Sequence, residues 1–333
     1  MKICCYGDVH WSLHSSIIRS RGNKYSTRLE NLITSVNWAE RLAQEVGCDM
    51  VVCLGDFFDK AELNAEEITA LKELVWADMP HKFLVGNHEM GKNDLSLSTA
   101  HLLSLCDNIE VIDTPIIEVN AKTRYNLVYL PYILEEDRKP MNHYVRGDNN
   151  IIFSHNDLKG VQLGRFVSVD GFDIEDIQKN CNLFLNGHLH NGGKVADKVI
   201  NCGNLTGQNF SEDAFTYSHS AYIIDTDDLS VAVYDNPYAF DFYKLDFSDR
   251  AFEPINVSDN AVVVVNVKAE DYEACKDWIE SNGIIGRIIV NRLQSENVKE
   301  ELSLSVDHIE QFKKFVLDAL GTDDIVLSEL SNL

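Results

Sequence analysis

Five short motifs in this sequence could do chemistry, and they occur in order: Asp8-Val9-His10, Gly55-Asp56-Phe57-Phe58-Asp59, Gly86-Asn87-His88-Glu89, Ser154-His155-Asn156 and Gly187-His188-Leu189-His190. Taken alone, each has a plain structural reading. His155 could be a loop histidine, Asp56 a turn residue and Asn87 a helix cap. Taken together, each directly after an apolar run, they read as metal ligands. Imidazole mixed with carboxylate suits Mn²⁺, Fe or Zn²⁺ better than Mg²⁺. Two divalent ions about 3.5–4 Å apart can grip an in-line phosphoryl displacement from both sides and supply its nucleophile. Such a pair needs a bridging carboxylate, and Asp56, at the end of the second apolar run, is the natural one. The ligand set is therefore Asp8, His10, Asp56, Asn87, His155, His188 and His190. His88, beside Asn87, is placed to protonate the leaving oxygen or to stabilise its developing charge.

The elements that must position these residues alternate in the first half. A strand at 2–6 precedes a helix with apolar periodicity over 27–46, then a strand at 50–54, a helix over 65–78, a strand at 81–85 and a helix near 97–106. From about residue 109 the pattern is rich in strands, at 126–130, 150–154, 182–186, 219–225 and 229–234. Two sheets packed face to face with helices outside account for both halves. Residues 236–246 read as an extended connector, and 261–290 as a compact strand–helix–strand unit with Asn282-Gly283 ending its helix. An amphipathic helix over 306–320, with Ile309, Phe312, Val316 and Leu320 on its apolar face, closes the chain before a short apolar patch at 325–330.

Composition narrows the partners. No apolar run approaches the roughly 18 residues of a membrane span, and the first residues lack the apolar stretch of a signal peptide, so a cytoplasmic address is expected. The eight cysteines include no Cys-x-x-Cys pair and sit mostly in apolar runs, as buried reduced thiols do. A formal charge of −24 argues against a general polyanion binder. Yet residues 9–29 contain no acid and carry Arg19, Arg21, Lys24 and Arg28, a candidate surface for a phosphate backbone just after the first motif.

The five motifs resemble those of the calcineurin-like metallophosphoesterase superfamily over roughly residues 1–235. The resemblance implies an α/β, four-layer metallophosphoesterase fold, two packed mixed β-sheets flanked by helices, with a small C-terminal α+β capping domain. It further implies one metal on Asp8, His10, Asp56 and His190, a second on Asp56, Asn87, His155 and His188, and His88 as the catalytic histidine. Protein phosphatases of the superfamily place an arginine after the second motif's last aspartate and another before Gly-Asn-His-Glu, where this chain has Lys60 and Val85.

The fuller similarity is to SbcD-type DNA repair nucleases, through Gly-Asp-Phe-Phe-Asp, the segment Asn201 to Phe210 and the unit at 261–290. It implies a nuclease domain at 1–240, a capping domain at 241–298 and an ATPase-docking helical segment at 299–333. The cofactors would be two Mn²⁺ ions, and the partners DNA and an SMC-like ATPase of the SbcC type. The alternative is a phosphodiesterase for a small nucleotide or cyclic phosphodiester, with the C-terminal module serving homodimerisation.

Overall fold

The computed structural model describes residues 1–13, 23–163, 166–212 and 214–291. The expected helix over 306–320, the apolar patch after it, and Arg19 and Arg21 lie outside the described residues. All but the last of the described residues belong to one compact unit, Met1–Val290.

Two six-stranded mixed sheets form the centre. In the first, the order is Ser230–Asp235, Ser220–Asp225, Lys2–Tyr6, Met50–Cys53, His81–Leu84, Ile109–Ile112. The last four strands of that order are parallel and the first two antiparallel. The second sheet runs Gly193–Ala196, Val199–Asn201, Leu183–Asn186, Asn150–Ser154, Asn126–Leu130, Ile116–Val119, parallel at its centre and antiparallel at both edges.

The two-residue period of a strand decides which core each side chain enters. Ile3, Cys5, Val52 and Leu54 meet Leu127, Tyr129, Ile151 and Phe153 between the sheets. Their neighbours Cys4, Tyr6, Val51 and Cys53 face outward and pack against Leu29, Leu32, Val36 and Ala39 of the helix Thr27–Val46. On the far side Val128, Ile152 and Phe184 cover Ile177 of the helix Ile174–Asn180. The layers are therefore helix, sheet, sheet, helix, as expected. All eight cysteines are free thiols, and only Cys48 and Cys106 are partly exposed.

Three expectations need correction. The helix over 65–78 is α-helical only from Ala65 to Ala70, followed by a 3₁₀ turn, Leu71–Glu73. Beyond it Val75 N–H donates to Asn37 Oδ1 and Ala77 N–H to Glu40 Oε2, so side chains of the long helix take amides that would otherwise continue the turn. Near 97–106 a strand, Asp94–Ser98, paired with Met90–Gly91, gives way to a 3₁₀ helix, Thr99–Leu105. The connector at 236–246 is in large part a strand, Asp241–Phe247, lying parallel to Ala261–Lys268 in a three-stranded sheet completed by Ile285–Asn291. Tyr243, Leu245 and Phe247 alternate into a small core with Val263, Val265, Val267 and Trp278.

Candidate metal centre

The motifs sit at the C-terminal ends of the central parallel strands of both sheets, where open α/β sheets bind ligands. Gly7-Asp8 follows Lys2–Tyr6, Asp56 follows Met50–Cys53, and Asn87 follows His81–Leu84. From the second sheet, His155 follows Asn150–Ser154, and His188 with His190 follows Leu183–Asn186. Backbone bonds lock the loops together. Asp8 N–H donates to Gly55 O (3.0 Å), His10 N–H to Asp56 O (3.0 Å) and Gly187 N–H to Ser154 O (2.9 Å).

Close approach demands special backbone. Asp8, His10, Asp56 and His188 all adopt positive φ, at 49°, 50°, 46° and 72°, a region that non-glycine residues enter rarely and chiefly at functional sites. Gly86 has no substitute, because a Cβ there would lie 2.1 Å from Asp56 Oδ1. At Gly55, with φ of +97°, a Cβ would lie 2.4 Å from the His155 ring.

The side chains converge. His155 Nε2 lies 3.1 Å from Asp56 Oδ2 and 3.3 Å from Asn87 Oδ1. His10 Nε2 lies 3.8 Å from Asp56 Oδ2 and 4.0 Å from Asp8 Oδ1. The rings of His155 and His188 are 5.0 Å apart, and those of His10 and His190 4.9 Å. Two of the resulting groupings, Asp8–His10–His190 and Asp56–His155–His188, each bring their ligand atoms within 4.8 Å of one another. Asp8 Oδ1, His10 Nε2 and His188 Nδ1 are buried without a hydrogen-bond partner. Leaving such atoms unpaired costs free energy, and divalent ions fit all three. Asp56 Oδ2 lies between the two groupings, 3.8 Å from His10 Nε2 and 3.1 Å from His155 Nε2.

The electrostatics match. Burial alone would raise the Asp56 carboxyl, but the charges of His155, His10 and His88 hold it well below the carboxylate range. Burial alone would lower His155, yet Asp56 raises it to about 9. Each effect states that this pocket favours adjacent opposite charges.

His88 stands at the mouth, its side chain 44 % exposed. Its backbone N–H donates to Asp56 Oδ1 (2.9 Å), and its ring meets His10 edge-on at 4.6 Å.

Some contributors stand in or beside the motifs with no role assigned from the sequence. Asp59 Oδ1 lies 3.1 Å from His10 Nδ1, and Asp157 Oδ1 lies 3.1 Å from His188 Nε2. Glu89 accepts from Gly86 N–H (2.9 Å) and Phe58 N–H (2.8 Å), joining the second and third motifs. Its burial, with the charge of Asp56, raises that carboxyl to about 8.

The basic segment divides. Lys24 is exposed and paired with Glu73. Arg28 is only 1 % exposed and donates from its guanidinium to Gly207 O (2.8 Å) and Val9 O (3.3 Å). Buried there, it cannot reach a phosphate backbone and is not the surface contact expected of it.

No described helix is long and apolar enough to cross a membrane. Among solved structures, the chain is similar to TT1561 of Thermus thermophilus, with 12% identity and a TM-score of 0.37, covering 70% of this chain and 98% of that one. It is also similar to a dimetal phosphatase from Danio rerio, LOC 393393, with 15% identity and a TM-score of 0.41, covering 67% and 91%. At these scores neither overlap adds weight. No curated protein matches. Residues 1–221 match the calcineurin-like phosphoesterase family, a span that contains every candidate ligand described above and both large sheets except the edge strand Ser230–Asp235 and most of its neighbour Ser220–Asp225. The chain belongs to that family, and it is a metal-dependent phosphoesterase.

Proposed function

We propose that this phosphoesterase is a DNA nuclease, cleaving phosphodiester bonds at DNA ends with two Mn²⁺ ions and acting with an SMC-like ATPase of the SbcC type. The observation that carries the diester reading is the lack of arginine at the two positions that grip a phosphomonoester in protein phosphatases. Lys60 stands at one and is held by Glu67 at 2.9 Å. Val85 stands at the other and is fully buried. A diester presents one charge fewer than a monoester dianion and does not need that grip. The exposed His88 supports a polymeric substrate, because the proton-handling group lies at an open mouth.

When bound, the ions would neutralise the phosphoryl group and supply the nucleophile. Asp8, His10, Asp56 and His190 would hold one, and Asp56, Asn87, His155 and His188 the other. His88 would give a proton to the leaving oxygen. The similarity to SbcD-type nucleases in Gly55 to Asp59 and in Asn201 to Phe210 favours DNA, as does the α/β module that follows. In this reading residues 299–333, outside the described residues, dock the ATPase.

The acidic balance, −24, and the Lys24–Glu73 pair favour a second reading, a phosphodiesterase for a small nucleotide. Linear duplex DNA and a 2′,3′-cyclic nucleotide, each incubated with the protein in Mn²⁺, separate the two. Release of nucleotides from the duplex is expected. Turnover of the cyclic nucleotide alone would overturn the nuclease reading.

A further inference from the structure

Each metal-facing imidazole holds its second ring nitrogen against an acceptor, which fixes tautomer and ring orientation. For His10, His155 and His188 the partners, Asp59, the Leu54 carbonyl and Asp157, lie in or beside the motifs, at 3.1, 2.7 and 3.1 Å. For His190 the partner comes from elsewhere: its Nδ1 faces Glu212 Oε1 at 3.5 Å. That leaves Nε2 as the ring's remaining ligand atom.

Glu212 is 2 % exposed. A buried carboxylate is costly unless it is hydrogen-bonded and paired, and this one is held from two sides. Oε1 accepts from Asn204 Nδ2 and Oε2 from Gln208 N–H, both at 2.9 Å. The Asn204 amide is oriented in turn, because its Oδ1 accepts from Tyr217 OH (2.9 Å) and faces His219 Nδ1 at 2.8 Å. His219 Nε2 comes within 3.9 Å of Glu212 Oε2. A neutral His219 that donates from Nδ1 has no proton left for Glu212, whereas His190 has one to give. Buried Arg28 ties this segment to the first motif through Gly207 O and Val9 O.

We infer that Glu212 is a positioning residue for the metal centre: held by Asn204 and Gln208, it fixes His190 as a ligand of the site that also uses Asp8 and His10. The inference rests on the metal centre and not on DNA as substrate, and the tests below use no nucleic acid.

The test is Mn²⁺ titration by calorimetry on the full-length protein stripped of metal. Glu212→Gln keeps the shape and removes the charge. One of two sites should lose affinity by about 10- to 100-fold, the other should change less, and the metal-free melting temperature should hold. Parental Mn²⁺ binding at both sites would overturn the inference. Tyr217→Phe trims the far end of the same network and should leave Mn²⁺ binding unchanged. Equal losses in the two variants would mean that the segment is merely structural, which also overturns it. Should Glu212→Gln not fold, Glu212→Asp keeps the charge and shortens its reach. Weaker binding at one site then supports the inference, and parental binding refutes it.

Discussion

The metal centre has a floor and a rim, and they are built differently. Asp8, His10, Asp56 and His155 form the floor, at most 1 % exposed, three of them at positive φ. His88, His188 and His190 form the rim with Asn87, their side chains 44 %, 17 % and 25 % exposed. The floor is held by interlocked loop backbone and by opposite charges that water does not screen. The rim depends on single side-chain partners such as Asp157 and Glu212. The site is thus rigid where its buried residues converge around Asp56 and open on the side of His88.

The largest effect should come from the shared floor residue. Asp56→Asn should lower phosphodiesterase activity by about 10³-fold, because it weakens both donor sets at once. Metal analysis should find fewer than two ions. Two retained ions and full activity would erase the distinction between floor and rim.

On the rim, His88→Ala should lower kcat by about 10²-fold or more while both ions stay bound. The measurement pairs steady-state kinetics with metal content. Loss of metal in this variant would make His88 a ligand and move it to the floor.

Acidity separates the two in the metal-free protein. With His155 raised to about 9 beside Asp56, their pairing contributes stability that is complete below about pH 6.5. That contribution is lost as pH rises through about 9. Melting temperature should therefore fall between pH 7 and 10 without metal. Because a bound ion must displace the His155 proton, Mn²⁺ affinity should rise over the same window. A flat profile in both measurements would remove the buried pair from the account.

The smallest effects concern the basic segment, which divides in the same way. Arg28→Ala should destabilise the fold by about 3 kcal/mol by stranding two buried carbonyls, and a denaturant titration checks it. Changing Arg19, Arg21 and Lys24 together to Ala should leave stability unchanged. It should flatten the salt dependence of duplex binding by about one unit of slope per lost phosphate contact.

Every floor and rim residue was singled out in the sequence, because each ends or closely follows a run of apolar residues and strand ends are where such groups converge. Their partners were not. Asp157 and Glu212 sit among polar residues, and only the fold brings them behind His188 and His190. Arg28 was misread although the signal was present. It precedes Leu32 by four residues and Val36 by eight, and so lies on the apolar stripe of its helix. The strand Asp241–Phe247 was hidden because an edge strand is recognised by its partner, which lies some twenty residues further on.

The left-handed backbone at positions 8, 10, 56 and 188 also bears on how this chain could drift once selection on catalysis is lifted. Side chains other than glycine occupy that region at a penalty of about 1 kcal/mol or more per residue. At 10 and 188 the role as ligand favours keeping a histidine there, whereas the Asp8 and Asp56 carboxylates also accept from His188 N–H and His88 N–H. A descendant freed from phosphoester cleavage would gain stability by accepting glycine or asparagine at positions 10 and 188, while Gly55 and Gly86 would stay fixed by the close approach of their neighbours. Glycine at 10 or 188 beside intact glycines at 55 and 86 would thus mark a pseudoenzyme in a lineage, before any assay is run.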